Sequence, residues 1–180
     1  MASNETLRRE LMEMRERDQE MRKTIFTRYS YGEPRSPEDS AWCKAVDAEN
    51  TRRMQEIIAQ HGWPGLSEVG EDGAGAAWML VQHADELPDF QKRCLELIRA
   101  AVEAGEASGG NLAYLTDRVR IADGLPQVYG TQGRWSEAGE LGLWEIGDAA
   151  NVDERRAALG LEPVAEYLVD LRRCYETKPL

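Results

Sequence analysis

Hydrophobic residues recur at helical intervals along most of the chain, and this pattern predicts a mainly α-helical protein. The stretch from Gly73 to Leu87 predicts the central helix, because apolar residues occupy two of its faces, as in helices buried between other helices. We expect the other helices to pack around it. They are predicted at about residues 4–29, 37–60, 88–102, 111–122 and 163–175, with a short capped helix at 153–160.

A break in the helical pattern after Gly124 predicts a small β-hairpin. Its strands are expected at Gln127–Tyr129 and Leu143–Ile146, joined by a glycine-rich loop. The length of 180 residues fits one domain, here 1–180 with an ordered core from about residue 4 to 175. The predicted fold class is therefore a mainly α, single-domain helical bundle of about six helices with a small β-hairpin.

Polar residues interrupt the apolar stripes of several predicted helices. Asp18 lies at the centre of the first stripe, Arg22 follows one turn later, and Asn50 projects into the second stripe. A buried Asp18–Arg22 ion pair and a carboxylate aimed at a cleft both fit this pattern. Buried polar groups need hydrogen-bond partners. The central helix carries three such residues: Gln82, His83 and Asp85.

A second polar set lies in the C-terminal half of the chain. Asp117 and Arg118 are either ordinary surface charges or an acid and a base that line the same interior cleft. The glycine at position 130 either forms a plain turn or brings backbone amides close to a ligand, together with Tyr129 and Gln132.

Charge and cysteine content exclude several classes of function. A net charge of −11 repels phosphate backbones and anionic lipid, so we expect neither a nucleic-acid partner nor a membrane. The three cysteines are far apart, which argues against a zinc ribbon or a redox dithiol. The charged start of the chain does not resemble an apolar signal region, so a cytoplasmic protein is expected. A basic protein partner or a homo-oligomer stays open.

The chain also carries a specific combination of short motifs. The main ones are His61-Gly-Trp-Pro64, Gln82-His-Ala-Asp85 and Tyr129-Gly-Thr-Gln132, accompanied by Asp18-Gln19, Asp47-x-x-Asn50, Tyr114-Leu-x-Asp-Arg118 and Val152-Asp-x-Arg-Arg156. From about residue 7 to 167 the chain resembles a family of bacterial proteins that is filed as a domain of unknown function. The resemblance implies a soluble, self-contained bacterial domain whose signature includes these polar positions, and it carries no assigned reaction.

The residues themselves favour acid–base chemistry without a metal or cofactor. No nucleophile elbow, phosphate-binding loop or zinc motif is present. We expect His83 to act as a general acid or base, with Asp18 or Asp117 fixing its tautomer. Arg22 or Arg118 would hold an anionic substrate group. The remaining contacts to a small polar ligand are assigned to Asn50, Gln82, Asp85, Tyr129 and Gln132.

Two functions follow as expectations. The first is a metal-independent hydrolase or lyase that performs hydrolysis, elimination or cyclisation on a small polar metabolite. The second is a non-catalytic ligand-binding, regulatory or interaction protein, in which the buried polar cluster only fixes the packing of the helices.

Overall fold

The computed structural model describes residues 3–29 and 33–176, and helices dominate both ranges. This confirms the predicted mainly α fold with a small β-hairpin. The described residues form seven α-helices, a 3-10 turn at Ala149–Asn151 and two strands. The helices are α1 (Glu5–Arg28), α2 (Pro37–His61), α3 (Leu66–Gln82), α4 (Pro88–Glu103), α5 (Gly109–Ala122), α6 (Val152–Ala157) and α7 (Val164–Glu176), and the strands are β1 (Gly133–Trp135) and β2 (Leu141–Leu143).

Capping residues place α1 and α2 close to their predicted positions. Asn4 caps α1 and Ser36 caps α2, because each side chain accepts a hydrogen bond from the backbone N–H three residues later. Pro37 is the first residue of α2. Proline has no backbone N–H, but the N–H groups of the first turn have no partner within the helix, so no hydrogen bond is lost there. The same helix ends before Gly62, which adopts a positive φ of 76° that other residues rarely take.

The central helix α3 begins earlier than predicted, at Leu66 rather than Gly73. The glycine-rich sequence before Gly73 predicts a loop, but only Gly70 leaves helical geometry, with φ 71° and ψ 174°. Two helical pieces therefore continue across a kink at this glycine. Asp72, which precedes the predicted start at Gly73, therefore lies inside the helix and forms an ion pair with Arg8 of α1.

The same helix also ends earlier than predicted, at Gln82 rather than Leu87. Leu87 precedes Pro88, whose ring disfavours helical geometry at the residue before it, and Leu87 has φ −127° and ψ 70°. His83 is therefore the C-terminal cap of α3 and not a residue in the middle of a helix.

The described residues as far as Ala107 form one compact unit. In this unit α3 packs against α1, α2 and α4, and α1 also packs against α2. Within this unit α3 has the central position that the sequence predicts, and the packing of the later helices around it stays a prediction. Fully buried side chains from all four helices form the core, including Leu11, Met54, Leu80 and Ile98.

The residues from Ser108 to Glu176 belong to a second compact unit. It contains α5, the hairpin, α6 and α7, with α7 packed against α6 and β2. Its buried apolar side chains include Leu112, Leu115, Leu141 and Val152. The assignment of the whole chain to a single domain stays a prediction.

The hairpin does not lie where the sequence predicts it. Gly133–Trp135 pairs with Leu141–Leu143, whereas Gln127 makes only an isolated parallel bridge to Ile146. The predicted first strand at Gln127–Tyr129 is wrong, because buried side chains occupy the backbone groups that strand pairing would require. These side chains are described below.

Candidate functional site

Asp18 and His83 form the centre of a polar cluster in the first unit. His83 Nδ1 lies 3.1 Å from Asp18 Oδ1 and 3.0 Å from Asp18 Oδ2. The Asp18 side chain is fully buried, whereas the His83 side chain is 19% exposed. The contact joins a polar residue from the apolar stripe of α1 to the residue that caps α3.

The surroundings of His83 Nδ1 favour one tautomer of the ring. The Arg22 Nε–H is placed to donate to His83 Nδ1 at 3.0 Å and also to the two Asp18 oxygens at 3.1 and 3.2 Å. An unprotonated Nδ1 could accept from Arg22, but its lone pair would also lie against both Asp18 oxygens at 3.1 and 3.0 Å, so we assign Nδ1 and Arg22 Nε as parallel donors to Asp18. The neutral ring then carries its free lone pair on Nε2. Within the described residues, no protein group is hydrogen-bonded to Nε2.

Arg22 joins this pair to a second carboxylate, Asp47 of α2. Its Nη2 donates to Asp47 Oδ1 at 2.6 Å and lies 3.1 Å from Asp18 Oδ1. The Arg22 side chain is 34% exposed and that of Asp47 is 23% exposed. Arg22 therefore bridges two carboxylates, one buried and one partly open to solvent.

The pKa values of these two carboxyl groups shift in opposite directions. Burial raises the pKa of Asp18, but the hydrogen bonds and charges of His83 and Arg22 outweigh this and hold the pKa below its usual value. Burial raises the pKa of Asp47 and outweighs the charge of Arg22, which lowers it; the charges of Asp18 and Asp85 raise it further and that of His83 lowers it. Neighbouring carboxyl groups with diverging pKa values are typical of acid–base sites, although structural ion pairs show them too.

Gln91 of α4 fixes the end of the helix that carries His83. Its buried Nε2 lies 3.2 Å from the carbonyl oxygens of Val81 and Gln82 and 3.2 Å from Asp85 Oδ1. These carbonyls belong to the last turn of α3, and that of Val81 also accepts the backbone N–H of Ala84 at 3.1 Å. Gln91 therefore holds the chain on both sides of His83, through two carbonyls before it and the exposed Asp85 after it.

Two predicted ligand-binding residues in this unit have buried polar atoms without partners. Asn50 is 4% exposed and Gln82 is 6% exposed. Asn50 Nδ2 and Gln82 Oε1 have no hydrogen-bond partner among the described residues. An orphaned buried polar atom costs about 1–3 kcal/mol, so each one calls for an explanation such as an absent ligand or water.

Asp117, the third predicted catalytic residue, lies in the second unit. Its fully buried carboxylate accepts hydrogen bonds from the backbone N–H groups of Val128, Tyr129 and Thr131 and from the Thr131 hydroxyl, with shortest distances of 2.7 to 3.1 Å. The backbone amides that the sequence suggested for ligand binding are thus bound to Asp117. Its catalytic role stays a prediction.

Arg156 holds the opposite side of the same loop, residues 127–132. It is fully buried, stacks 4.9 Å from the Tyr167 ring, and donates through Nη1 to the Tyr129 carbonyl at 2.8 Å. Tyr167 donates its hydroxyl to the Thr131 carbonyl at 2.6 Å. An anionic side chain therefore binds the N–H groups of the 127–132 loop while a cationic one binds its carbonyls.

Side chains of this loop are also held within the second unit. Gln132 accepts a hydrogen bond from Arg118 Nη1 at 3.3 Å and donates to Thr131 Oγ1 at 3.1 Å. Gln127 accepts the Gln132 backbone N–H at 2.7 Å. The 127–132 loop is thus fixed by its own unit, in which Arg118 contacts Gln132.

The predicted site residues divide between the two units. Asp18 and Arg22 contact His83, and Asp85 contacts Gln91 beside it. Arg118 contacts Gln132, and Asp117 binds the backbone of Tyr129. Sequence reasoning did not assign three residues that now stand out: Asp47, Gln91 and Arg156. Asp47 and Arg156 belong to the short motifs that the chain shares with the family it resembles, so these motifs could have identified them. Gln91 belongs to none of the motifs, and nothing in the sequence around it indicates its contacts.

Two further observations apply to the described ranges 3–29 and 33–176. No three histidine, cysteine, aspartate or glutamate side chains there are grouped so that they could hold a metal ion. No helix there combines the length and the apolar character needed to cross a membrane.

Comparison with known proteins gives a family but no reaction. Residues 5–179 match DUF6624, described as a family of unknown function. A search of curated proteins found no match, and neither did a search of solved structures. Since the match covers nearly the whole chain, the protein belongs to the DUF6624 family.

Proposed function

We propose that this protein is an enzyme that performs general acid–base chemistry on a small polar metabolite, by hydrolysis, elimination or cyclisation. The contact between His83 Nδ1 and the buried Asp18 carboxylate carries the proposal, because it leaves Nε2 as the free basic nitrogen. A histidine oriented by a buried aspartate is the arrangement that proton-transfer sites use on many unrelated folds.

In this mechanism His83 Nε2 accepts a proton from the substrate or from a water molecule. Asp18 keeps the ring in the reactive tautomer and stabilises the imidazolium that forms. The imidazolium then returns its proton to the leaving group or the product, so the proton balance needs no second acid. The proposed catalytic residue is therefore His83, with Asp18 and Arg22 positioning it, and Asp47 holds Arg22 through an ion pair of 2.6 Å.

A non-catalytic ligand-binding or regulatory role is the second candidate. Arg22 is bound to Asp18 and Asp47 at once, as in ion-pair networks that only fix helix packing. In that case His83 is a satisfied structural residue and its ring has no unusual reactivity.

Carbethoxylation with diethyl pyrocarbonate separates the two roles, because the chain has only two histidines. The His61→Gln variant reports on His83 alone, and the His83→Gln variant reports on His61 alone. Exposure by itself favours His61, whose side chain is 35% exposed against 19% for His83. We expect His83 to react faster in spite of this, because Asp18 increases the electron density at Nε2.

The Asp18→Asn variant in the His61→Gln background supplies the matched control. It keeps the shape of the side chain and removes the charge, so the reaction of His83 is expected to slow. If His83 reacts more slowly than His61 and does not respond to the Asp18 change, the structural role is correct and the enzymatic one is not.

The HGWP, QHAD and YGTQ motifs resemble those of a bacterial family, so we propose a bacterial protein. The free cysteines fit a reducing compartment, and we propose that the protein works in the cytoplasm. A small polar molecule is the proposed ligand, with a protein partner or self-association as the alternative.

A further inference from the structure

We propose that the site around His83 takes a neutral or cationic nitrogen compound, such as an amine, amidine or amide, and rejects carboxylates and phosphates. This substrate class rests on the proposed function, since it assumes that His83 Nε2 faces the ligand. It reverses the expectation that Arg22 holds an anionic group.

The charges of the cluster carry the first part of the inference. Arg22 is the cation that the cluster contacts show, and its guanidinium is bound to both Asp18 and Asp47. An anionic ligand would have to displace one of these carboxylates from Arg22, or approach them without a positive charge that offsets the repulsion. Like charges at short distance are costly in a partly buried site.

The hydrogen-bonding groups around the cluster carry the second part. In the assigned tautomer His83 Nε2 is an acceptor, and Asp47 presents a partly exposed carboxyl group. Acceptors match the N–H groups of amines, amidines and amides, whereas carboxylates and phosphates offer further acceptors.

Asn50 is the unpartnered donor that completes the set. It lies between Asp47 and Arg53 on α2, three residues from each, and both of these side chains reach α1 through Arg22 and Glu10. Residues three apart lie on one side of a helix, so Asn50 lies on the side of α2 that faces α1. Its buried Nδ2 needs an acceptor such as a carbonyl or hydroxyl oxygen.

Three planar probes of one shape test the inference: acetamidinium, acetamide and acetate. Each is titrated at constant ionic strength into the full-length protein, and the imidazole ¹⁵N and ¹H shifts of His83 are followed by NMR. His61 serves as the internal control for non-specific effects. We expect saturable shifts of His83 with acetamidinium, whose charge suits Asp47, and with acetamide, whose carbonyl oxygen suits Asn50 Nδ2, and none with acetate.

Two variants assign the selectivity to the cluster. Asp47→Asn removes the partly exposed carboxylate and is expected to weaken acetamidinium binding roughly fivefold, the effect of about 1 kcal/mol from one charge contact. Glu49→Gln makes the same change of charge on an exposed residue of the same helix, and binding should change by less than about twofold.

Every result of these titrations either supports or overturns the proposed ligand class. Shifts of His83 with acetate, equal responses to acetamidinium and acetate, or no response to any probe would overturn the proposed ligand class. So would equal shifts of His61 and His83. None of these results changes the tautomer of His83, which the same spectra report, so the ligand class can fail while the proposed acid–base role survives.

Discussion

Replacing Asp117 with asparagine is expected to lower the free energy of unfolding by about 3–5 kcal/mol, the cost of breaking a buried charge from its partners. The carboxylate accepts hydrogen bonds from three backbone N–H groups and one hydroxyl. Asparagine keeps one oxygen and directs an NH₂ group at donors that then have no acceptor. Urea denaturation followed by circular dichroism measures the loss.

Asp170→Asn is the matched control for this variant. Asp170 makes an exposed ion pair with Arg173 on α7, so the same chemical change should cost no more than about 1 kcal/mol. Equal stabilities of the two variants would show that Asp117 does not organise the 127–132 loop.

The Arg156→Met variant tests whether both sides of the loop act together. Arg156 binds the carbonyls of residues in the loop that Asp117 binds through their N–H groups. When either Asp117 or Arg156 is replaced, the other side chain should stabilise the loop less. The loss of unfolding free energy in the double variant Asp117→Asn/Arg156→Met is therefore expected to be about 1–2 kcal/mol smaller than the sum of the two single losses.

Replacing His83 with glutamine is expected to reduce turnover of any substrate that the wild-type protein converts by about 10²–10⁴-fold. Glutamine is polar and of similar size but cannot accept and release a proton near neutral pH. Steady-state kinetics of purified wild-type and variant proteins measure the effect, with kcat falling more than KM changes. His61→Gln is the control, since His61 pairs with Glu68 outside the cluster. Unchanged turnover in the His83 variant would exclude His83 as the general base.

The helices could be predicted from the sequence because their signals are local. Asn4, Ser36 and Pro37 determine where helices begin, and the 3.6-residue period determines which face is buried. The kink at Gly70 could not be predicted, because a glycine inside a helical pattern does not show whether the helix ends or bends. The hairpin was misplaced because distant Asp117 competes for the backbone of Val128 and Tyr129.

The candidate site could be predicted in part. Interrupted stripes on separate helices pointed to Asp18, Arg22 and His83, which the structure brings together. The roles of Asp47 and Gln91 depend on which helices are neighbours, and a single sequence carries no direct record of this. The sequence also could not show that Arg22 is unsuited to hold an anionic ligand, because this depends on its contacts with two carboxylates.

The tautomer of His83 tests the central claim most directly. Long-range ¹H–¹⁵N correlation spectra of the uniformly labelled protein show which ring nitrogen carries the proton, and only two histidines need to be assigned. His83→Gln identifies its signals. We predict that neutral His83 is protonated on Nδ1 and bare on Nε2, and that Asp18→Asn shifts the balance towards the other tautomer. A neutral His83 protonated on Nε2 in the wild-type protein would contradict the account.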